Sequence, residues 1–306
     1  MTQFPLVRRP LAVAALCVSG AVVAATAGTV LLAQRTPNQQ RAVISVVDKK
    51  GAPVATLATT DLTVREDGIA REVLKVEPAT GAMEIAILVD TSTATTGTIT
   101  DLRHSVKAFA AAIWEKSPDT QIALYTFGER PTLEADFSSS AVNLNRRADR
   151  LFAASGSGAY FIDAVIEASG VLKKRAGARP VIVAYVDENG PEFSNRRNDH
   201  AFDALAAARA SLWTVSRQGF GSSTSTPENR ERGIVIGDVT TKTGGRSSTV
   251  FDGSAVKGRF ADVATQLLAQ FVVTYGRPET LVPPDKLEIK LTNKDLRLAA
   301  PRWTTR

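Results

Sequence analysis

Three unbroken apolar runs limit this chain more than any other feature: Ile85 to Val89, "QIALYTFG" at 121–128, and "PVIVAYVDENG" from Pro180. A strand that is apolar at every position, rather than every second one, is covered on both faces. Between these runs the spacing changes to that of a helix. Ile99, Leu102, Val106, Phe109 and Ile113 share one face, and Phe161, Val165, Ala168 and Leu172 share another. Further helices are expected around Leu144 to Phe152 and from about His200 to Ala210, the second followed by a strand in "LWTVSR". Residues 218–233 are rich in Gly, Ser and Thr and then in charge, and read as a mobile loop. "IVIGDVTTKTGG" reads as a short helix stopped by Gly244-Gly245. A last amphipathic helix, "VKGRFADVATQLLAQ", leads into the strand "FVVTYG". Strand and helix alternating over 83–275 predict an α/β fold, a three-layer, doubly wound and mostly parallel sheet.

The flanks read differently. Val43, Ser45 and Val47 alternate with the period of a strand, and Leu62 to Glu66 runs into Asp67-Gly68, a hairpin turn answered by Ile69 to Val76. Past residue 278, "KLEIKL" and "LRLAAPRW" are β-like again. The expected organisation is a leader at 1–33, a polar linker at 34–40, an α/β domain at 82–277, and a small β domain built from 41–80 and 278–306. Two ends of a chain commonly meet in this way.

Arg8 and Arg9 precede an uncharged, Ala- and Val-rich stretch from Leu11 to Ala33. A positive flank followed by an apolar core addresses a chain for export. Ala25-Thr26-Ala27 offers a small-x-small cleavage site, and the stretch also has the length of a membrane anchor. The expected location is therefore outside the cytoplasm, periplasmic or secreted, with an inner-membrane tether through residues 11–33 as the alternative. The only cysteine, Cys17, lies in this segment, so the remainder needs no disulfide in an oxidising compartment. The net charge of +6 is spread along the chain without basic runs interleaved with aromatics, which speaks against nucleic-acid binding.

Ligands of such sheets sit outside the carboxyl ends of the strands. Two apolar strands end there in an acid, Asp90 and Asp187. Asp90 opens the hydroxyl-rich loop "DTSTATTG". A hard cation takes about six oxygens from carboxylates, hydroxyls and water. The strand "IAILVDTS", with "TTDLTVREDG", "YTFGERPTL", "YFIDAV", "VDENG", "TKTGGR" and "FVVTYGRP", resembles the von Willebrand factor type A (VWA) domain, and most closely the VWFA-related domain of secreted bacterial, acidobacterial-type proteins. The resemblance covers most of residues 41–303. It implies a protein-binding module whose cation site, the MIDAS motif, reads Asp-x-Ser-x-Ser, a Thr in a Gly-Gly-Thr loop, and an Asp in a Thr-Asp-Gly turn. Carried over by position, Asp90, Ser92 and Asp187 are kept. Ala94 stands in place of a Ser and Ala159 in place of the Thr, while Glu188 and Asn189 separate Asp187 from Gly190. With two ligands reduced to methyl groups, the expectation is a degenerate site with no cofactor, or at most weakly held Mg²⁺ or Ca²⁺ at Asp90, Ser92 and Asp187.

His104 and His200 read as solvated, and neither has a nucleophile in a known motif; Gly-x-Ser-x-Gly is absent. Asp163, at a helix start, suits the helix dipole better than a general base. The chain is therefore expected not to be an enzyme. It is expected to bind an unknown protein partner through loops 90–97, 155–160, 187–199 and 218–233, without a cation. Cation-dependent binding through the residual site is the alternative, and a hydrolase a more distant one.

Overall fold

In the computed structural model, which describes residues 38–219, 226–278 and 284–303, the apolar runs form the centre of a six-stranded sheet. The chain begins with β1 (Asn38–Val47), β2 (Leu62–Glu66), β3 (Ile69–Arg71) and β4 (Val73–Pro78), which lie outside that sheet. Then follow β5 (Glu84–Val89), α1 (Ile99–Lys116), β6 (Gln121–Thr126), β7 (Thr132–Ser138), α2 (Ala141–Ala148), α3 (Phe161–Arg175), β8 (Pro180–Asp187), α4 (Asn198–Ala208) and β9 (Ser211–Arg217). Next come α5 (Pro227–Ile234), a π-helical stretch at Val235–Val239, and α6 (Thr240–Lys242). β10 (Ser247–Val250), α7 (Val256–Leu268), β11 (Phe271–Arg277), β12 (Leu287–Leu291) and β13 (Arg297–Ala299) complete the described chain.

The large sheet has the order β10-β9-β8-β5-β6-β7, parallel except for β7 against β6. The expected mostly parallel, three-layer fold is therefore present. Ile85, Ile87 and Val89 pack on the α1 and α7 side, while Ala86 and Leu88 pack on the side of α3 and α4. Alternate residues thus feed two cores, which is why the run has no polar position. The edge strands β7 and β10 had no such signal. Their half-exposed residues do not form an apolar run, and neither strand was expected from the sequence.

Three boundaries differ from the sequence reading. "FVVTYG" was expected inside the α/β domain, yet β11 lies in a four-stranded antiparallel sheet of order β13-β1-β11-β4. All seven residues of β11 are buried, and a continuously apolar strand does not reveal which sheet covers it. Residues 38–40, read as linker, pair with Tyr275 to Arg277, their polar side chains serving an exposed strand end. The expected mobile loop at 218–233 and the short helix after it become one helical segment from Pro227 to Lys242. Residues 220–225 of that loop lie outside the described residues. Thr226 Oγ1 caps the segment by accepting the Asn229 N–H at 3.1 Å, and Pro227 takes the first turn, where no N–H is needed. Gly244, at φ 82°, stops it as expected.

The second, three-stranded sheet, β12-β2-β3, closes over the four-stranded one on a core of Ile44, Val46, Val64, Phe271, Val273 and Leu287. Beneath this core Glu66 is fully buried. It accepts from Arg277 Nε at 3.0 Å, Tyr275 Oη at 2.8 Å and Arg71 Nε at 2.9 Å. Burial works to raise its pKa, but these bonds prevail and hold it below the usual carboxylate value. Arg179, also buried, staples the two parts together. It donates to the carbonyls of Ala79, Gly81 and Leu267 and to Gln270 Oε1, all within 2.9 Å. Among the described residues no helix is long and apolar enough to cross a membrane. Residues 1–33, the expected leader or anchor, lie outside the described residues.

Candidate functional site

β5 and β8 are parallel neighbours, so the residues that end them meet at one edge. Asp90 and Asp187 are both fully buried there. Asp90 spends its two oxygens on the backbone: Oδ1 accepts Ser92 N–H at 2.8 Å, and Oδ2 accepts Asp187 N–H at 3.0 Å. Desolvation pushes its pKa up to about 6, against the lowering effect of these bonds.

Asp187 is engaged differently. Its Oδ1 accepts the Asn189 backbone N–H at 3.1 Å and Asn189 Nδ2 at 2.8 Å. Its Oδ2 accepts Arg217 Nε at 2.8 Å and lies 2.7 Å from Arg217 Nη2. Arg217 is the last residue of β9 and stands opposite Asp187 in the β8–β9 register. Its Nη2 also donates to the Ala94 carbonyl at 3.1 Å, tying the third loop to the first. Burial opposes the charge on Arg217, but Asp187 outweighs it and raises the guanidinium pKa.

The hydroxyls of the opening loop are mostly consumed locally. Thr93 Oγ1 donates to Ala154 O at 2.8 Å and accepts Ser157 N–H at 3.0 Å, joining the first and second loops. Thr95 and Thr96 close turns on Ser92 O and Thr93 O. Ser92 Oγ is the exception. It lies near enough to Asp90 to favour the ionised carboxylate, yet it is buried and makes no regular hydrogen bond among the described residues.

The inserted Glu188 and Asn189 carry the third loop over the first. A Cβ placed on Gly190 would stand 3.0 Å from the Ala94 methyl and 3.6 Å from Ser92 Oγ. The Glu188 carboxylate accepts Gln218 Nε2 at 3.1 Å. Two side chains of α5, absent from the sequence reading as a helix, hold this loop. Buried Arg232 donates to Gly190 O at 2.9 Å and Glu188 O at 3.1 Å, and Asn229 Oδ1 accepts Glu192 N–H at 2.8 Å. Buried Glu192 sits beneath it, its pKa driven up to about 7 by desolvation, with Ser194 and Arg232 resisting. Ala159 is fully buried and is zipped to the same loop. It donates to Pro191 O at 2.8 Å and accepts Phe193 N–H at 2.7 Å. Gly158 fits because the Phe193 ring and Pro191 O lie where a Cβ would be.

The structure thus brings Asp90, Ser92, Ala94, Ala159 and Asp187 to one edge, but as a knot of hydrogen bonds. These residues do not fit a divalent ion. Four carboxylate oxygens are already spent on N–H donors, two positions offer only methyls, and a guanidinium occupies one side. Of the side-chain oxygens of Asp90, Ser92 and Asp187, Ser92 Oγ is the one without a regular hydrogen bond among the described residues. Among the described residues no group of three or more His, Cys, Asp or Glu is clustered as metal ligands. Arg217 is the member that sequence reading missed: the strand "LWTVSR" was expected, but its pairing with the strand that ends in Asp187 was not. His104 and His200 are exposed, and the latter pairs only with Asp199. Asp163 Oδ2 accepts the Asn195 N–H at 3.3 Å, anchoring the same loop system.

The profile of the von Willebrand factor type A domain matches residues 85–190. Among solved structures, the chain is similar to proximal thread matrix protein 1 from the mussel byssus, in a form with a zinc-occupied MIDAS motif. That match has 15% identity and a TM-score of 0.50 over 67% of this chain and 50% of that one. It is also similar to the conserved hypothetical protein BatB from Bacteroides thetaiotaomicron, at 13% identity and TM-score 0.45, over 61% of this chain and 99% of that one. A von Willebrand factor type A structure from Catenulispora acidiphila matches at 11% identity and TM-score 0.47, over 87% and 75%. Likeness at such identities concerns the fold alone. No curated protein matches the sequence. Residues 85–190 thus match the von Willebrand factor type A domain, and they lie on a central parallel sheet with flanking helices, the fold of the solved structures to which the chain is similar.

Proposed function

We propose that the chain is an exported protein-binding module that meets its partner through the loops at the carboxyl ends of the sheet, without a divalent ion. The observation that carries this reading is where its exposed aromatics lie. Phe152, Phe193 and Phe251 are 68%, 48% and 77% exposed, and all three are on loops of that edge. Phe152 precedes Ala154, which bonds Thr91 and Thr93. Phe193 is bonded to Ala159, and Phe251 follows Val250, the register partner of Arg217. Exposed aromatic side chains on a rigid frame are typical anchors of a protein interface. The Arg217–Asp187 pair supports independence from a cation. Arg8, Arg9 and the apolar stretch 11–33 support export. A non-catalytic role fits the exposed, isolated histidines and the lack of an assembled nucleophile, base and acid among the described residues. The buried Ser92 hydroxyl, beside Asp90 and without a regular hydrogen bond among the described residues, favours cation-dependent binding as a second reading.

The test is site-specific photo-crosslinking in the intact cell envelope, with the reactive side chain at position 193 or 251, and at Val142 on the opposite end of the domain as control. Adducts of one defined size from 193 and 251, formed equally in EDTA, are the expected result. Adducts from 142 alone, or adducts that EDTA abolishes, would overturn it.

A further inference from the structure

We propose that the crevice at the amino ends of β8 and β9 binds an anionic amphiphile, a molecule with an apolar body and a carboxylate or phosphate head. The crevice encloses about 1060 Å³, at the upper end of what small-ligand sites commonly offer, about 300–1,000 Å³. It is lined by β1, by the approach to β8 and by the carboxyl ends of α3 and α4. It therefore lies at the end of the large sheet remote from the loops proposed to meet a partner. Apolar side chains supply much of its wall: Val43, Pro78, Ala178, Pro301 and Trp303 line it, and each is at least partly exposed.

Charge selects the head group. Arg41, Lys173, Arg179 and Arg209 line the crevice against a single acid, Glu77. Glu77 already pairs with Lys75 and lies 3.8 Å from Arg41. Lys173, in the last turn of α3, and Arg209, at the end of α4, also complement the helix dipoles. That does not account for Arg41 on β1 or for Arg179 ahead of β8. Arg179 is 8% exposed, and its acceptors are all neutral: the carbonyls of Ala79, Gly81 and Leu267 and the Gln270 amide oxygen. Its Nε–H has no partner among the described residues, and burial pulls its pKa down to about 10. A cation buried without an acid is costly. An anion entering the crevice offsets that cost, and exposed Lys173 and Arg209 supply donors for it. A neutral ligand gains nothing from either.

The test adds 12-bromododecanoate, 12-bromododecyl phosphate or the neutral 12-bromododecanol to the full chain and reads tryptophan fluorescence, which bromine quenches on contact. Trp303 lines the crevice, whereas Trp114 and Trp213 pack in a core of the large sheet. Both acids are expected to quench saturably, at least about tenfold more tightly than the alcohol, and Trp303→Phe is expected to remove most of the quenching. Lys173→Gln combined with Arg209→Asn should weaken both acids about tenfold and leave the alcohol unchanged. Asparagine tolerates the left-handed backbone at position 209, where φ is 55°. Arg179→Met should weaken the acids as well, and the double variant keeps the test decisive if that one does not fold. Preference for the carboxylate would point to a free fatty acid as the source, and preference for the phosphate to a lipid head group. Acids that quench no better than the alcohol, acid affinities unchanged in the double variant, or quenching that survives Trp303→Phe would each overturn the proposal. None of these results bears on the partner reading, which concerns the other end of the sheet.

Discussion

Two buried acid–arginine clusters in this chain solve the same problem to different degrees. In the β domain Glu66 faces two arginines and a tyrosine; charge is compensated and its pKa is held low. At the sheet edge the one arginine pairs with Asp187, Asp90 has only hydrogen bonds from Ser92 and the Asp187 N–H and is pushed up to about 6, and the Ser92 hydroxyl makes no regular hydrogen bond. The first is a finished structural joint. The second is under-compensated, closed by loops, and surrounded by exposed aromatics. The difference is one of compensation: the first acid has all the donors its charge needs, and the second pair does not.

The comparison can be broken most forcefully at Glu66. Glu66→Ala leaves Arg277 buried without its acid, and the expected loss is about 3–5 kcal/mol of unfolding free energy, read by chemical denaturation. Arg217→Met is expected to cost less, about 1–3 kcal/mol, because its side chain is 22% exposed and water takes up part of the imbalance. Equal losses at the two places would erase the distinction.

The acids also separate by pH. Glu66 has a lowered pKa, so its contribution persists down to the unfolded value near 4.5 and is lost as the pH falls through the folded one. Glu192 has the opposite sign. Raised to about 7, it carries a proton in the folded protein that the unfolded chain does not hold between about pH 7 and pH 4.5, so lowering the pH across that window stabilises the fold. Besides burial, the groups acting on it are Ser194, Arg232, the Ile162 backbone N–H and Asp90. Denaturation midpoints should rise from pH 8 to pH 5, by on the order of 2 kcal/mol, and Glu192→Gln should flatten that rise. A flat wild-type profile would contradict this sign. The smallest expected effect is that of Ala94→Ser, within about 0.5 kcal/mol, with no ion response while Arg217 remains. An ion response in that variant would show that the missing hydroxyl, and not the arginine, closes the site.

The central fold was legible because β5, β6 and β8 are buried on both faces and announce themselves as apolar runs. β7 and β10 were not legible, since edge strands mix polar and apolar residues. β11 was recognised as a strand but placed in the wrong sheet, because complete burial looks alike in either. Asp90 and Asp187 were found from their positions at strand ends, and the Asp67-Gly68 turn from its dipeptide; Asp67 and Gly68 both take positive φ. Arg217 was overlooked because its role arises only when the β8–β9 register is known. Arg232 and Asn229 were hidden in a segment whose glycine- and serine-rich start masked the Thr226-Pro227 helix signal.

The most direct measurement is the nuclear magnetic resonance signal of the Arg217 Nε–H in the wild-type chain, followed during addition of Mn²⁺. A slowly exchanging signal that stays sharp at millimolar Mn²⁺, and vanishes in Arg217→Gln, is the expected result: the guanidinium sits on Asp187 and keeps the ion away. A signal broadened beyond detection by stoichiometric Mn²⁺, with the broadening lost in Asp90→Asn, would place an ion among these loops and contradict the role given to Arg217.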